Sequence, residues 1–127
     1  MVNKNSEMII IPVSIGELYD KITILEIKLF YIKDNIKQKN IEFELNLLYG
    51  RAKKYSINPI LKKELLTINK RLWKLENIIR YMDLKKKFNE NFINIAREIY
   101  ITNDRRSNIK KIINLEYNST IIEEKSY

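Results

Sequence analysis

Hydrophobic residues recur at alternating spacings of three and four along most of the chain, which is the pattern of amphipathic helices. The first stripe covers residues 15–36, and a second helix is predicted over residues 38–55. A third stripe covers residues 61–82, and a fourth and a shorter fifth follow at 88–99 and 109–113. The pattern predicts an all-α fold, an elongated helical hairpin or bundle of four to five helices.

Capping residues mark two of the predicted helix starts. Ser14 and Glu17 match a capping box, in which Ser14 is the N-cap and Glu17 reaches back to it. Asn58 and Pro59 combine a capping side chain with the proline favoured at the first helical position. The third helix is expected to continue to near Lys87, on the order of 40 Å, and therefore to need partners of similar length.

Two short segments fall outside the helical pattern. Residues 8–13 are apolar and β-prone, and residues 118–127 look non-helical, with a strand-like stretch at 119–122. We expect the two segments to pair as a tiny two-stranded ribbon formed by the termini. Such a ribbon would carry the charged residues 123–125 toward the start of the first helix.

The chain is expected to form one helical domain over residues 1–127, with residues 1–7 flexible. Its length suffices for one core, and no linker or internal repeat divides it. The pattern leaves open whether the fourth and fifth stripes form one helix. Residues 102–104, which lie between them, are Thr, Asn and Asp, and these can cap or turn.

The composition excludes much familiar chemistry. The chain has no Cys and no His, which removes the thiol nucleophile, the imidazole base and the usual zinc ligands, so we expect no metal and no cofactor. We expect no membrane partner, because no apolar run approaches the roughly 18 residues of a span. The start of the chain lacks the layout of a secretory signal, which favours a cytoplasmic location.

Charged residues lie among apolar positions on more than one side of the first helix. A helix that is apolar nearly all round is buried on several sides, so some of these charges must be paired inside the protein. Buried pairs indicate a functional site. The candidates for catalytic groups are Glu17, Asp20, Lys21 and Glu26. The alternative for Glu17 and Lys21 is an ordinary surface pair at spacing i,i+4.

Basic residues farther along the chain could complete a site for an anion, because Arg and Lys bind carboxylate and phosphate groups. Each of them could instead form a structural ion pair that fixes helix packing. Free backbone N–H groups near Gly16 could also face a ligand. The candidate ligand-binding residues are Lys21, Lys28, Arg80, Arg97, Asn103, Asp104, Arg106, Glu123, Glu124 and Lys125.

A long composite pattern extends from about Ile11 to the end of the chain. Its densest parts are Ile11-Pro12-Val13-Ser14, Gly16-Glu17-Leu18, Asp20-Lys21, Thr23-Ile24-Leu25-Glu26-Ile27-Lys28, Leu72-Trp73, Glu76, Arg80, Ala96-Arg97, Asn103-Asp104, Arg106 and Glu123-Glu124-Lys125-Ser126-Tyr127. In this pattern the chain resembles a family of small bacterial and viral proteins catalogued as domain of unknown function 6165. The resemblance implies a shared fold and site but no activity, and it implies that the charged tail is more than a frayed end. Two positions depart from the family pattern: Asn77 stands in place of an acidic residue and Asn118 in place of a glycine.

Three functions are compatible with these observations. The first is binding of a small anionic molecule that bears phosphate or carboxylate; if it is an enzyme, carboxylate, Lys or Tyr must serve as acid and base. The alternative is a homo-oligomeric helical interaction module, such as a homodimer that pairs the apolar stripes of the first and third helices. The third is nucleic-acid binding by a basic face, given a net charge of +8, although a solvated Lys-rich surface explains that charge as well.

Overall fold

A computed structural model of the protein describes residues 7–127, so the expectation of a flexible start over residues 1–7 falls, apart from Glu7, outside the described residues. The helices are α1 (Ile15–Tyr31), α2 (Asn35–Ala52), α3 (Pro59–Leu84) and α4 (Glu90–Glu116). Residues 7–127 contain no strand. The prediction of an all-α bundle is confirmed.

The central helix is α1, which packs against each of the other three. The two longest helices, α3 and α4, form an antiparallel hairpin on one side of α1, and α2 packs mainly on α1. The fully buried apolar side chains are Ile22, Leu65, Leu75 and Ile113. These come from α1, α3 and α4, so the apolar stripes of the first and third helices are used within the chain.

The junction between α1 and α2 differs from the prediction. The first helix ends at Tyr31, and α2 spans Asn35–Ala52, three residues earlier at each end than the predicted 38–55. The reason is a capping residue, Asp34, that lies within the first predicted stripe, residues 15–36. The side chain of Asp34 accepts a hydrogen bond from the backbone N–H of Lys37 at 2.9 Å and so begins α2.

The α3–α4 hairpin follows the sequence more closely. The side chain of Asn58 caps α3 by accepting from the N–H of Ile60 at 2.9 Å, with Pro59 in the first turn as predicted. The fourth and fifth apolar stripes form one continuous helix, α4. Residues 102–104 do not turn, and the buried Thr102 packs inside the bundle.

Both long helices end on a residue in the left-handed region of backbone space. Lys86 has φ 54° and Asn118 has φ 55°. After each of them, a backbone N–H reaches back five residues, from Lys87 to Met82 and from Ser119 to Asn114, each at 2.8 Å. This arrangement is a Schellman ending, in which glycine is favoured. The glycine that the family resemblance leads us to expect at position 118 would suit this ending, and asparagine tolerates the same conformation.

The predicted two-stranded ribbon is absent from the described residues. Residues 8–13 have no regular secondary structure and are exposed, and residues 119–122 form no strand. An apolar, β-prone sequence does not by itself provide the partner that a strand needs. The tail nevertheless turns back to the start of α1, because its side chains, rather than its backbone, make the contacts described below.

Residues 76–101 form the outer part of the α3–α4 hairpin. We call it the arm, and we call the four-helix part, residues 14–75 and 102–123, the base. The structure describes every residue of the arm, and none of these residues is buried. None of the described helices is long and apolar enough to cross a membrane.

Candidate functional site

The start of α1 is closed by side chains from the end of α4 and the tail. The N–H of Gly16 donates to Asn114 Oδ1 at 2.7 Å, and the N–H of Ile15 donates to Ser119 Oγ at 3.1 Å. The helices approach so closely here that a Cβ on Gly16 would lie 2.6 Å from the carbonyl oxygen of Lys110. The prediction that free N–H groups near Gly16 face a ligand is therefore wrong.

The predicted capping box is half present. Ser14 Oγ accepts from the N–H of Glu17 at 2.9 Å, as the sequence predicts for an N-cap. The carboxylate of Glu17 binds Lys110 of α4 instead of reaching back to Ser14, and it also lies 3.8 Å from Lys21. The ammonium group of Lys110 therefore binds the Glu17 carboxylate, which in a capping box would accept from the backbone N–H of Ser14.

A buried carboxylate, Asp20, ties α1 to both long helices. It is 1% exposed and accepts from Arg106 through Nε, at 2.9 Å, and through Nη2. Asn69 of α3 donates to Asp20 at 3.0 Å and to Thr23 Oγ1 at 2.9 Å, and Lys110 Nζ lies 3.7 Å from Asp20. We call Asp20, Asn69, Arg106 and Lys110 the clamp.

The carboxylate of Asp20 and the guanidinium of Arg106 both stay charged over a wide pH range. Burial alone would raise the pKa of Asp20, but hydrogen bonds from Arg106 and Asn69 and the nearby positive charges outweigh it, so this pKa is lowered. The hydrogen bond to Asp20 raises the pKa of Arg106 despite its partial burial. Because its oxygens are occupied and its pKa is low, Asp20 is unsuited to act as a proton acceptor.

Glu26 lies away from the clamp, in a separate cluster on the side of α1 that faces α2. It accepts from Tyr49 Oη and, at 3.2 Å, from Lys62 Nζ, while its Oε1 has no hydrogen-bond partner among the described residues. Burial, together with the hydrogen bond and charge of Glu26, raises the pKa of Tyr49. The structure therefore brings together Glu17, Asp20 and Lys21, of which Glu17 and Asp20 share Lys110 and Lys21 lies beside Glu17, but it separates Glu26 from them. Residues 7–127 contain no cluster of three or more carboxylates that could hold a metal.

The charged tail is attached to the base by side chains. Its contacts are Glu123 with Ser14 and Asn114, Glu124 with Lys111, and Lys125 with Asp104. Glu123 is the innermost of these tail residues, at 2.9 Å from Ser14 Oγ and 3.0 Å from Asn114 Nδ2. Four predicted ligand-binding residues, Asp104 and the three of the tail, are thus engaged with partners of this chain.

Three other predicted ligand-binding residues are scattered. Lys21 is exposed beside Glu17, Lys28 is half-buried farther along α1, and Arg97 is exposed on the arm. None of the three lines a groove with the remaining candidates.

Arg80, Asn103 and Arg106 do meet, in a groove of about 600 Å³ where α1 crosses the α3–α4 hairpin. We call it the Trp73 groove. Its lining residues are Ile24, Ile27, Asn69, Leu72, Trp73, Glu76, Asn77, Arg80, Asn103 and Arg106. One side of Trp73 is covered by Tyr31, whose ring is stacked on it at 5.5 Å.

Asn69 and Asn77 were not predicted as parts of the site, and Lys110 was not predicted as part of the clamp. A signal was available for Asn69, because positions 69, 73, 76 and 80 recur at spacings of three and four and so share one face of α3. For Lys110 no local signal existed, since its partners are on α1, about ninety residues earlier in the chain.

The fold and site define a small all-α bundle whose central helix is tied down by a buried ion pair beside a groove of mixed polarity. A model of the family of unknown function DUF6165 matches residues 9–127, so the chain belongs to this family. No curated protein and no solved structure matches the chain.

Most of the groove consists of residues that carry the family resemblance. They are Ile24, Ile27, Leu72, Trp73, Glu76, Arg80, Asn103 and Arg106. One of the two departures from the family pattern, Asn77, also lines the groove. An acidic residue at position 77 in relatives would change the charge of this groove directly.

Proposed function

We propose that the protein binds a small organic anion, a phosphate or a carboxylate, in the Trp73 groove. The observation that carries the proposal is that Arg106, held from behind by buried Asp20, lines the same groove as Arg80. We propose binding rather than catalysis, because among the groove residues only Glu76 offers an ionisable acid or base outside the clamp.

Arg106 is a pre-organised half of such a site. A guanidinium has five N–H donors in a fixed fork, and Asp20 takes one from Nε and one from Nη2. Nη1 makes only a long hydrogen bond, 3.4 Å, to Asn103. Donors therefore remain for a ligand, and the ion pair with Asp20 has already fixed the side chain that carries them.

Arg80 is the adaptable half. Its side chain is exposed, and its contact with Glu76, one helical turn earlier, is long at 3.8 Å. An exposed pair of this kind contributes little, so exchanging Glu76 for an anionic ligand costs little. The negative charge of Glu76 also disfavours highly charged polyphosphates, which points to a ligand with one acidic group.

The remaining walls favour an organic ligand over a bare inorganic ion. Ile24, Ile27 and Trp73 offer an apolar surface, and the amides of Asn77 and Asn103 can donate to and accept from ligand hydroxyls. Sites for small molecules combine such apolar walls with a few polar groups that fix orientation. The proposed ligand is therefore an acid with an apolar or ring portion.

The chain carries its own reporter for this proposal, because Trp73 is its only tryptophan. Trp73 fluorescence is titrated with phenyl phosphate and benzoate, and with inorganic phosphate as the comparison. We expect the organic anions to bind more tightly, and Arg80→Gln to weaken them about tenfold or more, since a hydrogen bond to a charged group contributes about 1.5–3 kcal/mol.

The matched control is Arg97→Gln, which removes the same charge from an exposed site on the arm. We expect this variant to bind like the wild type. An equal loss of affinity for the organic anions in Arg80→Gln and Arg97→Gln would contradict the proposal. Unchanged affinity in Arg80→Gln would also contradict it.

A second candidate, assembly of two copies, is favoured by the segment before α1. Residues 8–13 are apolar and have no regular secondary structure, and Ile9 is 90% exposed. The interface first predicted, formed by the stripes of the first and third helices, is buried within the chain. Light scattering of the wild type and of I9S/I10S tests this: we expect a dimer that the variant loses, and a wild-type monomer at micromolar concentration would contradict it.

Nucleic-acid binding by a basic face stays a prediction. Its phosphate-driven form requires a steep fall of oligonucleotide affinity with salt concentration.

A further inference from the structure

We propose that the tip of the arm, residues 81–88, docks on the surface of an anionic lipid bilayer. This inference goes beyond ligand binding in the Trp73 groove and does not rest on it. The earlier expectation of no membrane partner rested on the lack of a spanning segment, and docking on a surface requires none.

The tip exposes large apolar side chains at a convex end of the molecule. Leu84 is 75% exposed, Phe88 61% and Tyr81 55%. Tyr81 and Leu84 precede the turn and Phe88 follows it, so apolar groups stand on both sides of the turn. A convex end offers no cavity for a small ligand, but it can press apolar side chains into the boundary between headgroups and acyl chains.

Three consecutive lysines, Lys85, Lys86 and Lys87, stand among these apolar side chains. The ammonium groups of Lys85 and Lys87 lie 5.8 and 6.0 Å from the centre of the Tyr81 ring. Lysines close to an anionic bilayer each strengthen binding about fivefold. Aromatic rings such as Tyr81 are enriched at the level of the headgroups. The charge of the tip is thus complementary to a layer of anionic headgroups.

The backbone of the turn adds an independent observation. Lys86 has φ 54°, a conformation that glycine adopts without strain and lysine does not. A lysine at this position places a charge at the apex of the turn, where glycine would provide only the backbone conformation. Such local strain is characteristic of positions with a functional role.

A bilayer fits the tip better than a second protein or a nucleic acid. A stable protein interface involves about 20–30 residues on each side, several times the size of the eight-residue tip. Single-stranded nucleic acids are bound without sequence readout by positive charge and by bases stacked on aromatic rings, and Leu84, the most exposed of the large apolar side chains at the tip, contributes to neither. A fluid apolar layer beneath anionic headgroups accommodates both features.

The experiment is co-sedimentation of the full chain with vesicles. Mixed phosphatidylcholine and phosphatidylglycerol vesicles are compared with pure phosphatidylcholine vesicles. We expect binding to the mixed vesicles only, weakened by added salt. K85Q/K86Q/K87Q should weaken it on the order of 100-fold, at about fivefold per lysine. L84S/F88S should weaken it about tenfold or more, through the loss of inserted apolar groups.

Each variant has a matched control elsewhere in the chain. K53Q/K54Q/K74Q removes the same charge from exposed lysines outside the tip. F43S/I60S removes apolar side chains with exposures similar to those of Phe88 and Leu84. We expect K53Q/K54Q/K74Q to lose far less vesicle affinity than K85Q/K86Q/K87Q. We expect F43S/I60S to bind vesicles like the wild type.

Four results would each overturn the proposal. Two concern the wild type: no binding to the mixed vesicles, or equal binding to neutral vesicles. Two concern the variants: an equal loss of vesicle affinity in a tip variant and its control, or tip variants that lose oligonucleotide binding while keeping vesicle binding. The lysine and apolar variants test separate parts of the tip. Because no residue of the arm is buried, both should retain the helical circular dichroism of the wild type.

Discussion

The base and the arm are built from the same two long helices, yet their interiors differ. In the base, α1 covers the α3–α4 seam, and Ile22, Leu65 and Ile113 are fully buried around the clamp. In the arm no residue is buried, although Glu76, Asn77 and Arg80 at its start still line a groove with α1. The comparison teaches that length alone does not create a core here, since two helices bury only one seam. We expect stability to lie in the base and local opening in the arm.

The largest expected effect is the loss of the clamp. Asp20→Asn leaves the charges of Arg106 and Lys110 without their buried partner, and we expect it to lower the free energy of unfolding by about 3 kcal/mol. Urea unfolding measures this. Glu98→Gln, which breaks the exposed pair between Glu98 and Arg71, is the matched change at the arm and should cost less than about 1 kcal/mol. Similar losses in the two variants would show that burial does not separate base from arm.

The close approach of α1 and α4 comes next. In Gly16→Ala the new Cβ would lie 2.6 Å from the carbonyl oxygen of Lys110 and 2.9 Å from Asn114 Oδ1, so we expect a loss of about 1–3 kcal/mol. Gly50→Ala on α2 meets nothing within 4 Å and should stabilise the protein by about 0.5–1 kcal/mol. Thermal unfolding of both variants checks the opposite signs, and a stabilising Gly16→Ala would refute the packing described.

The clamp also predicts a pH dependence. The folded state lowers the pKa of Asp20 below its ordinary 3.8, so the unfolded chain binds the proton more readily. The stability contributed by Asp20 is therefore present above about pH 4 and is lost as the pH falls through the folded pKa, at up to about 1.4 kcal/mol per pH unit. Unfolding free energies measured over the acid range should fall less steeply for Asp20→Asn. Identical slopes would show that another group dominates acid unfolding.

The smallest expected effect compares the ends of the two long helices. Lys86→Gly relieves a left-handed lysine at the arm and should stabilise the protein by about 0.5–1 kcal/mol. Asn118→Gly, at the base end of α4, should change stability less, because asparagine tolerates this conformation. Urea midpoints of the two variants provide the measurement, and a destabilising Lys86→Gly would contradict the assignment of strain to the turn.

Local features of the fold were predictable from the sequence. Ser14 and Asn58 cap the helices they were expected to cap, because capping depends on neighbours within three residues. The ribbon was not predictable in the same way, since pairing of residues 8–13 depends on a partner distant in sequence. Asp34 was missed because the apolar spacing of the first stripe continues past it to Ile36, which hides the break between α1 and α2.

The candidate site was predictable in part, for a geometric reason. Asp20 and Glu26 appeared equivalent as charged residues on an apolar helix, yet six residues rotate a helix by about 240°, so they lie on different sides of α1. Which of them meets Arg106 depends on how α4 crosses α1, and Arg106 follows Asp20 by 86 residues. Residue type therefore indicated which residues were candidates, but the packing of the helices determined which of them lie together.

Arg80 and Arg106 are proposed to form an anion site in the Trp73 groove. Native mass spectrometry with added phenyl phosphate is the decisive test of this site, because one spectrum reports both ligand occupancy and subunit number. We expect one bound phenyl phosphate per chain in the wild type and in Arg97→Gln, and little or none in Arg80→Gln. Equal occupancy in all three proteins, or none in the wild type, would contradict it.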